Sequence, residues 1–163
     1  MELTPEKIIK KLNLIPLADE GGYYKQTWVS DLVFENGPAG TAIYFLLVNS
    51  FEGFSALHTL SFPEIYHFYL GDSIELSLFH KNGKVEKVTM GQDLLNGEQL
   101  QFTVPGGVVQ GSKIIKGGKF ALIGTTMTPG FILDDFTLNS RKDMVKRYPE
   151  YKDLIVSLTR EME

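Results

Sequence analysis

Cysteine is absent from this chain of 163 residues, which excludes disulfides, thiolate metal sites and thiol nucleophiles. Long hydrophobic runs are missing as well, since no apolar stretch approaches the roughly 18 residues of a membrane-spanning helix. The first residues, Met1 to Thr4, do not resemble the start of a signal peptide. We therefore expect a cytoplasmic protein with no membrane partner.

Basic charge is also sparse and scattered. The chain has 16 Lys and Arg against 20 Asp and Glu, a formal net charge of −4. A nucleic-acid backbone is bound by clustered cations, and the sequence has no basic stripe, so we expect no nucleic-acid partner. What remains is an ordinary globular composition, with 43% hydrophobic and 22% charged residues. Its length predicts one domain over residues 1–163.

Short strands dominate the sequence pattern between about residue 20 and residue 138. The segments Tyr23–Val29 and Thr41–Val48 are rich in aromatic and β-branched residues. Apolar and polar residues alternate from Ile74 to Val88 around Asn82 and Gly83, which predicts a hairpin with a two-residue type I′ turn. Many short strands with frequent turn signals predict an all-β sandwich or barrel.

Helical patterns are confined to the two ends. Thr4 is a good N-cap residue, and the following Pro5 suits a first helical turn, so we predict a helix over about residues 4–13. Ser140 with Asp143 resembles a capping box, which predicts C-terminal helices over about residues 140–160.

Two segments carry the chemistry-bearing residues. The first holds His58, then Glu64, then Gly71 after six further residues, and the second is Pro105–Gln110. Residues two apart in a strand share a face, so Glu64 shares its face with Tyr66 and Phe68. A carboxylate on an aromatic face is costly to bury unless another polar group pairs with it. These segments therefore predict a polar cluster inside a barrel.

The two segments resemble the two cupin motifs. The first motif is His-x-His, then Glu after three or four residues, then Gly after six more, and the second is Pro-x-Gly-x-x-His. Leu60 and Gln110 stand where those motifs have histidine. More narrowly, the chain resembles the uncharacterised cupin 5 family, which is related in fold to the RmlC-like dTDP-sugar epimerases. That family has a Glu-Gly-Gly-aromatic-aromatic motif near its start, which corresponds here to Glu20–Tyr24. Another of its motifs corresponds to Pro129–Phe131. The resemblance implies a cupin double-stranded β-helix, or jelly-roll, barrel with short N- and C-terminal helices.

The resemblance also frames the question of a metal. A typical cupin site has three histidines and one glutamate, whereas the corresponding candidates here are His58, Glu64 and Gln110. One imidazole, one carboxylate and one amide fall short of the two-His-one-carboxylate set that holds non-haem iron, and zinc prefers more nitrogen donors. We expect no cofactor, with a weakly bound divalent metal on these three residues as the alternative.

Three functions stay open at this point. The first is binding of a small polar molecule in the barrel, with metal-independent isomerase or epimerase chemistry. Epimerase-type cupins use a His base and a Tyr acid, a pair that His58 with Tyr66 or Tyr24 would supply here. The second is a metal-dependent cupin enzyme with a reduced ligand set, and the third is a non-enzymatic binding or storage protein. The candidate catalytic residues are His58, Glu64 and Tyr66. The candidate ligand-binding residues are Tyr24, Phe68, Gln110 and Asp135.

Two aromatic-strand positions predict how the protein assembles. His67 and Tyr69 have the opposite parity to Glu64, so a regular strand points both of them away from the barrel interior. An outward aromatic strip left open to water favours pairing with a second copy. We therefore expect a homodimer, as cupins of this kind commonly form.

Overall fold

The computed structural model describes residues 2–160, and strands are the main regular structure in that part of the chain. The helices are α1 (Pro5–Leu12), α2 (Arg141–Arg147) and α3 (Lys152–Ser157). The strands are β1 (Ile15–Pro16), β2 (Tyr23–Val29), β3 (Val33–Phe34), β4 (Gly37–Pro38), β5 (Thr41–Val48), β6 (Ser55–Leu60), β7 (Glu64–Gly71), β8 (Ile74–Phe79), β9 (Val85–Met90), β10 (Gln101–Val104), β11 (Val109–Ile114), β12 (Phe120–Met127) and β13 (Phe136–Leu138). Strand β2 and strand β5 have the predicted bounds.

Two antiparallel sheets form the barrel. One has six strands in the order β1-β2-β5-β12-β7-β10, and the other has five in the order β13-β6-β11-β8-β9. Most neighbouring strands in these sheets are far apart in the chain. The sheets are therefore built by long-range pairing and not by a meander of consecutive hairpins. This architecture confirms the predicted all-β jelly-roll barrel with helical ends.

The barrel core lies between the facing sides of the two sheets. Phe45 and Tyr66 of the six-stranded sheet pack with Leu76 and Leu78 of the five-stranded sheet in one buried cluster. The alternation seen in the sequence explains this, because every second residue of a strand points to the same side. The apolar strand faces therefore supply the core, and the polar residues of those faces are buried among them.

The predicted hairpin forms, but its turn is different from the one predicted. Phe79 pairs with Val85, and Gly83 has a φ of +89° whereas Asn82 does not have a positive φ. The loop is longer than two residues, because the His80 N–H donates to the Lys84 carbonyl. The Asn82 side chain instead accepts the Lys84 N–H at 3.0 Å. The prediction of a two-residue type I′ turn was therefore wrong, since the hydrogen bond from the Lys84 N–H to the Asn82 side chain stabilises a different turn conformation.

The helices cover the outer sides of the sheets. Thr4 caps α1 by accepting the Lys7 N–H, as predicted, and Ile8 of α1 packs on Leu46 and Leu122 of the six-stranded sheet. The C-terminal helices α2 and α3 pack in the same way on the back of the five-stranded sheet. Within residues 2–160, no helix has the length and hydropathy needed to cross a membrane.

Candidate functional site

A cavity of about 330 Å³ lies inside the barrel, between the two sheets and the segment before β2. Its lining residues are Leu17, Ala18, Asp19, Glu20, Tyr24, Gln26, Thr41, Ile43, Phe45, His58, Leu60, Glu64, Tyr66, Thr125, Met127, Phe131, Leu133 and Phe136. Several of them, including Asp19, Gln26 and Leu133, are exposed to solvent, so the cavity reaches the surface. The interior end is apolar except for a small group of polar side chains.

His58 contributes an imidazole from the five-stranded sheet. Its side chain is only 2% exposed and stacks on Phe136, with ring centroids 5.3 Å apart. Its Nδ1 lies 2.8 Å from the Ala56 carbonyl oxygen, which can only accept, so Nδ1 carries the proton and donates. In the neutral ring Nε2 is then the proton acceptor, and it is the nitrogen left for the cavity.

Glu64 lies on the opposite sheet and is 7% exposed. Gln110, from the five-stranded sheet, donates its Nε2 hydrogen to Glu64 Oε2 at 2.8 Å and so links the two sheets. Burial raises the pKa of the Glu64 carboxyl, and the nearby Glu20 raises it further, while His58 opposes the shift. Thus the site holds a carboxyl group that keeps its proton to higher pH than a free glutamate does.

Tyr66 lies next to Glu64 on the inner face of β7, with 1% of its surface exposed. Burial raises the pKa of its hydroxyl well above the ordinary value, and the carboxylates of Glu64 and Glu20 act in the same direction. The phenol therefore stays protonated near neutral pH and can serve as a hydrogen-bond donor.

Glu20 is a site residue that the sequence analysis did not select. Its Oε1 accepts the Ser55 hydroxyl proton at 2.7 Å and lies 3.9 Å from His58 Nδ1. The two glycines that follow have φ values of +100° and +71°, and a Cβ at Gly22 would lie 2.8 Å from a Phe45 ring carbon. The Glu-Gly-Gly segment thus makes the sharp entry into β2, and the signal that could have identified Glu20 was the resemblance of this segment to the family motif.

The other predicted residues divide between the cavity and its surroundings. Tyr24 lines the cavity. Phe68 is buried in the core on the same strand face without lining the cavity, and Gln110 lies behind Glu64 at 1% exposure. Asp135 does not reach the cavity, because it lies in a 3-10 turn and lines a separate groove beside β4. His67 points to the outer face, as expected, where it contacts Thr126 and Gln101.

The donor set does not fit a tightly held cupin metal. Within residues 2–160, no group of three His, Asp or Glu side chains is placed to hold a metal ion. Leu60, which lines the cavity together with His58, has an apolar side chain that cannot bind a metal. Gln110 donates to Glu64 through its NH₂ group, and an amide NH₂ group is not a metal ligand. The sequence expectation of no resident metal stays a prediction.

Comparisons with known proteins place this chain among cupins. A family model described as Cupin superfamily (DUF985) matches residues 6–139. The uncharacterized protein YML079W of Saccharomyces cerevisiae is 30% identical over 145 residues, covering 78% of this chain and 71% of its own length. The crystal structure of protein SO0799 from Shewanella oneidensis is 32% identical with a TM-score of 0.92, covering 99% of this chain and 100% of that one.

A more distant similarity concerns the fold alone. Oxalate decarboxylase of Bacillus subtilis, a protein with Mn(II) centres, is 14% identical with a TM-score of 0.58. The match covers 93% of this chain and 39% of that one. The shared barrel is therefore compatible with metal chemistry in other proteins, and the activity of this chain has to be argued from its own residues.

Proposed function

This chain belongs to the Cupin superfamily (DUF985), and we propose that its barrel cavity binds a small polar molecule and transfers a proton on it without a metal. The observation that carries the proposal is the state of His58. Its imidazole is 2% exposed, lines the cavity, and has Nδ1 occupied by a backbone carbonyl, which leaves Nε2 as a proton acceptor.

The proposed reaction inverts the configuration of a carbon atom that carries one hydrogen and lies next to a carbonyl group. His58 Nε2 takes the proton from carbon, and the bonding electrons move onto the carbonyl oxygen as an enolate. The Tyr66 hydroxyl then returns a proton to the same carbon from the other side. The step needs no oxidant or reductant, and solvent restores the starting protonation of both residues.

The surroundings of His58 support its role as the base. When the imidazole takes a proton it becomes a cation, and the Ala56 carbonyl and the Glu20 carboxylate stabilise that charge from the Nδ1 side. Because these groups are already in position, little reorganisation accompanies the transfer. The high pKa of Tyr66 keeps the acid protonated until it is needed.

The proposal is tested on the molecule that the protein itself retains. We would purify the protein under mild conditions, identify the bound molecule by native mass spectrometry, and incubate the pair in deuterium oxide. Proton transfer predicts deuterium at one carbon of that molecule. The His58→Ala variant should slow exchange by about 10²-fold or more, as loss of a general base does.

Tyr66→Phe should bind as well as the parent and lose net isomerisation, because only the hydroxyl is removed. A matched control is Tyr23→Phe, whose ring lies outside the cavity. A molecule that binds but never exchanges would contradict the catalytic part and leave a non-enzymatic container. Equal binding to the parent, His58→Ala and Glu64→Gln would show that the cavity is not the binding site.

A further inference from the structure

The charges around the cavity are of one sign. Among the described residues that line it, Asp19, Glu20 and Glu64 carry carboxyl groups and none is a lysine or an arginine. Glu64 is 7% exposed and the Glu20 side chain 14% exposed, so two of the three lie away from bulk water. Two carboxylates in a region of low dielectric repel each other, and a cation between them would relieve that repulsion.

The guanidinium of Arg160 attracts Glu20 electrostatically but lies outside this cavity. Arg160 donates to the backbone carbonyl of Glu20 at 2.9 Å, and its guanidinium lies 3.8 Å above the Phe54 ring centroid. Arg160 lines a neighbouring cavity, on the other side of Leu17, Ala18 and Asp19, and does not line this one. Within residues 2–160, no lysine or arginine lines the cavity that these carboxyl groups face.

The hydrogen-bonding groups point to a ligand that donates. His58 Nε2 is an acceptor, and within residues 2–160 no side chain donates to it. Glu20 accepts from Ser55 through Oε1, which leaves Oε2 for a further donor. An ammonium group has three donors and no acceptor, so it matches a set of this kind.

The walls suit an organic cation rather than a bare ion. Four aromatic rings line the cavity besides Tyr66: Tyr24, Phe45, Phe131 and Phe136. Aromatic faces attract cations and also pack against the apolar part of a ligand. A metal ion would need more oxygen or nitrogen donors than these rings leave.

We propose that the ligand of this cavity is a small organic cation with a primary ammonium group, held by Glu20 and Glu64 against the aromatic wall. The inference rests on the proposed function, since it names the ligand class of the same cavity. It also separates this chain from the dTDP-sugar class suggested by the epimerase-type resemblance, because a diphosphate would meet carboxylates and no lysine or arginine.

The test uses three molecules of one shape and different charge: benzylamine, benzyl alcohol and benzoate. Each is small against the 330 Å³ cavity, and near neutral pH they are cationic, neutral and anionic. Dissociation constants would be measured by saturation-transfer NMR and calorimetry, with EDTA present so that metal ions play no part. We expect benzylamine to bind about tenfold or more tightly than benzyl alcohol, and benzoate to bind more weakly than either.

Variants then assign the selectivity to the two carboxylates. Glu20→Gln and Glu64→Gln should each reduce the preference for benzylamine over benzyl alcohol at least about threefold, with little change for the alcohol. Glu86→Gln, on the hairpin strand β9, makes the same charge change outside the cavity and should leave the preference unaltered. Thermal unfolding of each variant would show that it is folded.

The outcomes separate this inference from the proposed function. Equal binding of amine and alcohol, tighter binding of benzoate, or no binding of benzylamine up to millimolar concentration would overturn the ammonium assignment. The proposed function would survive any of these if a retained molecule of another charge exchanges deuterium. If a retained amine binds and depends on Glu20 but never exchanges, the ammonium assignment stands and proton transfer fails.

Discussion

At the scale of single residues, the burial of the Glu64 carboxyl group in the barrel costs stability. Glu64 accepts hydrogen bonds from the side chains of Gln110 and Thr125, while burial and Glu20 both favour its protonated form. Gln110 Oε1 has no hydrogen-bond partner within residues 2–160. Buried polar groups left in this state are typical of binding sites, where a ligand or water completes the hydrogen bonding.

Glu64→Gln is expected to stabilise the protein at neutral pH. The folded-state pKa of Glu64 is raised, so its contribution to stability is fully present below the unfolded pKa, near 4.5, and is lost as the pH rises through the folded pKa. Glutamine resembles the protonated form of Glu64 and carries no charge, so the variant does not lose this stability as the pH rises. The melting temperature of the variant should exceed that of the parent at pH 7, and the difference should vanish toward pH 4.

Glu86→Gln is the matched control, because Glu86 is a partly exposed glutamate on the barrel surface whose pKa is lowered by Lys84. It should not reproduce the stabilisation at neutral pH. A melting temperature for Glu64→Gln that is lower than the parent's at neutral pH, or a difference that is constant over the pH range, would contradict the argument from burial.

At the scale of elements, glycines at strand ends decide how β7 passes into β8. Gly71 has a φ of +105°, and the following Asp72 accepts the Lys119 and Phe120 N–H groups through Oδ2, at 2.6 and 3.2 Å. This turn ties the end of β7 to the start of β12. A side chain at Gly71 would therefore meet backbone that cannot move without breaking those hydrogen bonds.

Gly71→Ala is expected to destabilise the fold more than Gly83→Ala. Both positions have positive φ, which costs an alanine about 1–2 kcal/mol. At Gly71 a Cβ would also lie 2.5 Å from the Phe120 carbonyl oxygen, whereas nothing lies within 4 Å at Gly83. Overpacking adds roughly 1–3 kcal/mol. Urea unfolding should show this difference, and equal losses at the two sites would argue that the turn relaxes freely.

At the scale of the whole molecule, the outer side of the six-stranded sheet is only half covered. Helix α1 packs over Leu46 and Leu122, while the Tyr69 side chain is 43% exposed and meets Tyr44 edge-on. His67 stacks parallel to Tyr69 at 6.5 Å on the same face. We propose that this uncovered half is the homodimer surface that the outward aromatic positions predict.

Tyr69→Glu is then expected to give a monomer, because it puts a charge in a surface that excludes water. Light scattering at micromolar concentration should show a dimer for the parent and a monomer for the variant. Val156→Glu is a matched control on α3, where Val156 is 40% exposed behind the other sheet. A monomeric parent protein, or a dimer unaffected by Tyr69→Glu, would refute this surface.

Metal content is a property of the whole purified protein. After dialysis we expect well under one equivalent of manganese, iron, nickel or zinc, because a single imidazole, a carboxyl group and an amide make a poor ligand set. Elemental analysis of protein grown with added metals would measure it. One equivalent that disappears in His58→Ala would overturn both this expectation and the metal-independent mechanism.

Local patterns in the sequence were enough to define much of the barrel. Strands β2 and β5 follow from runs of aromatic and β-branched residues, and the Thr4 cap of α1 follows from its residue type. The inward direction of His58 and Glu64 follows from strand parity, because side chains alternate across a strand. These features depend on residues close together in the chain, so composition and spacing are sufficient to predict them.

Only the tertiary structure decided how distant segments meet. Glu20 joins the site through Ser55 and His58, and Gln110 reaches Glu64 across 46 positions of sequence. Asp135 lies outside the cavity, although the sequence analysis named it as a candidate ligand-binding residue. Such contacts depend on strand order and on the separation of the sheets, and no local pattern encodes either. The sequence alone therefore determined the barrel and its inward faces, whereas the packing of the two sheets determined the charge of the cavity.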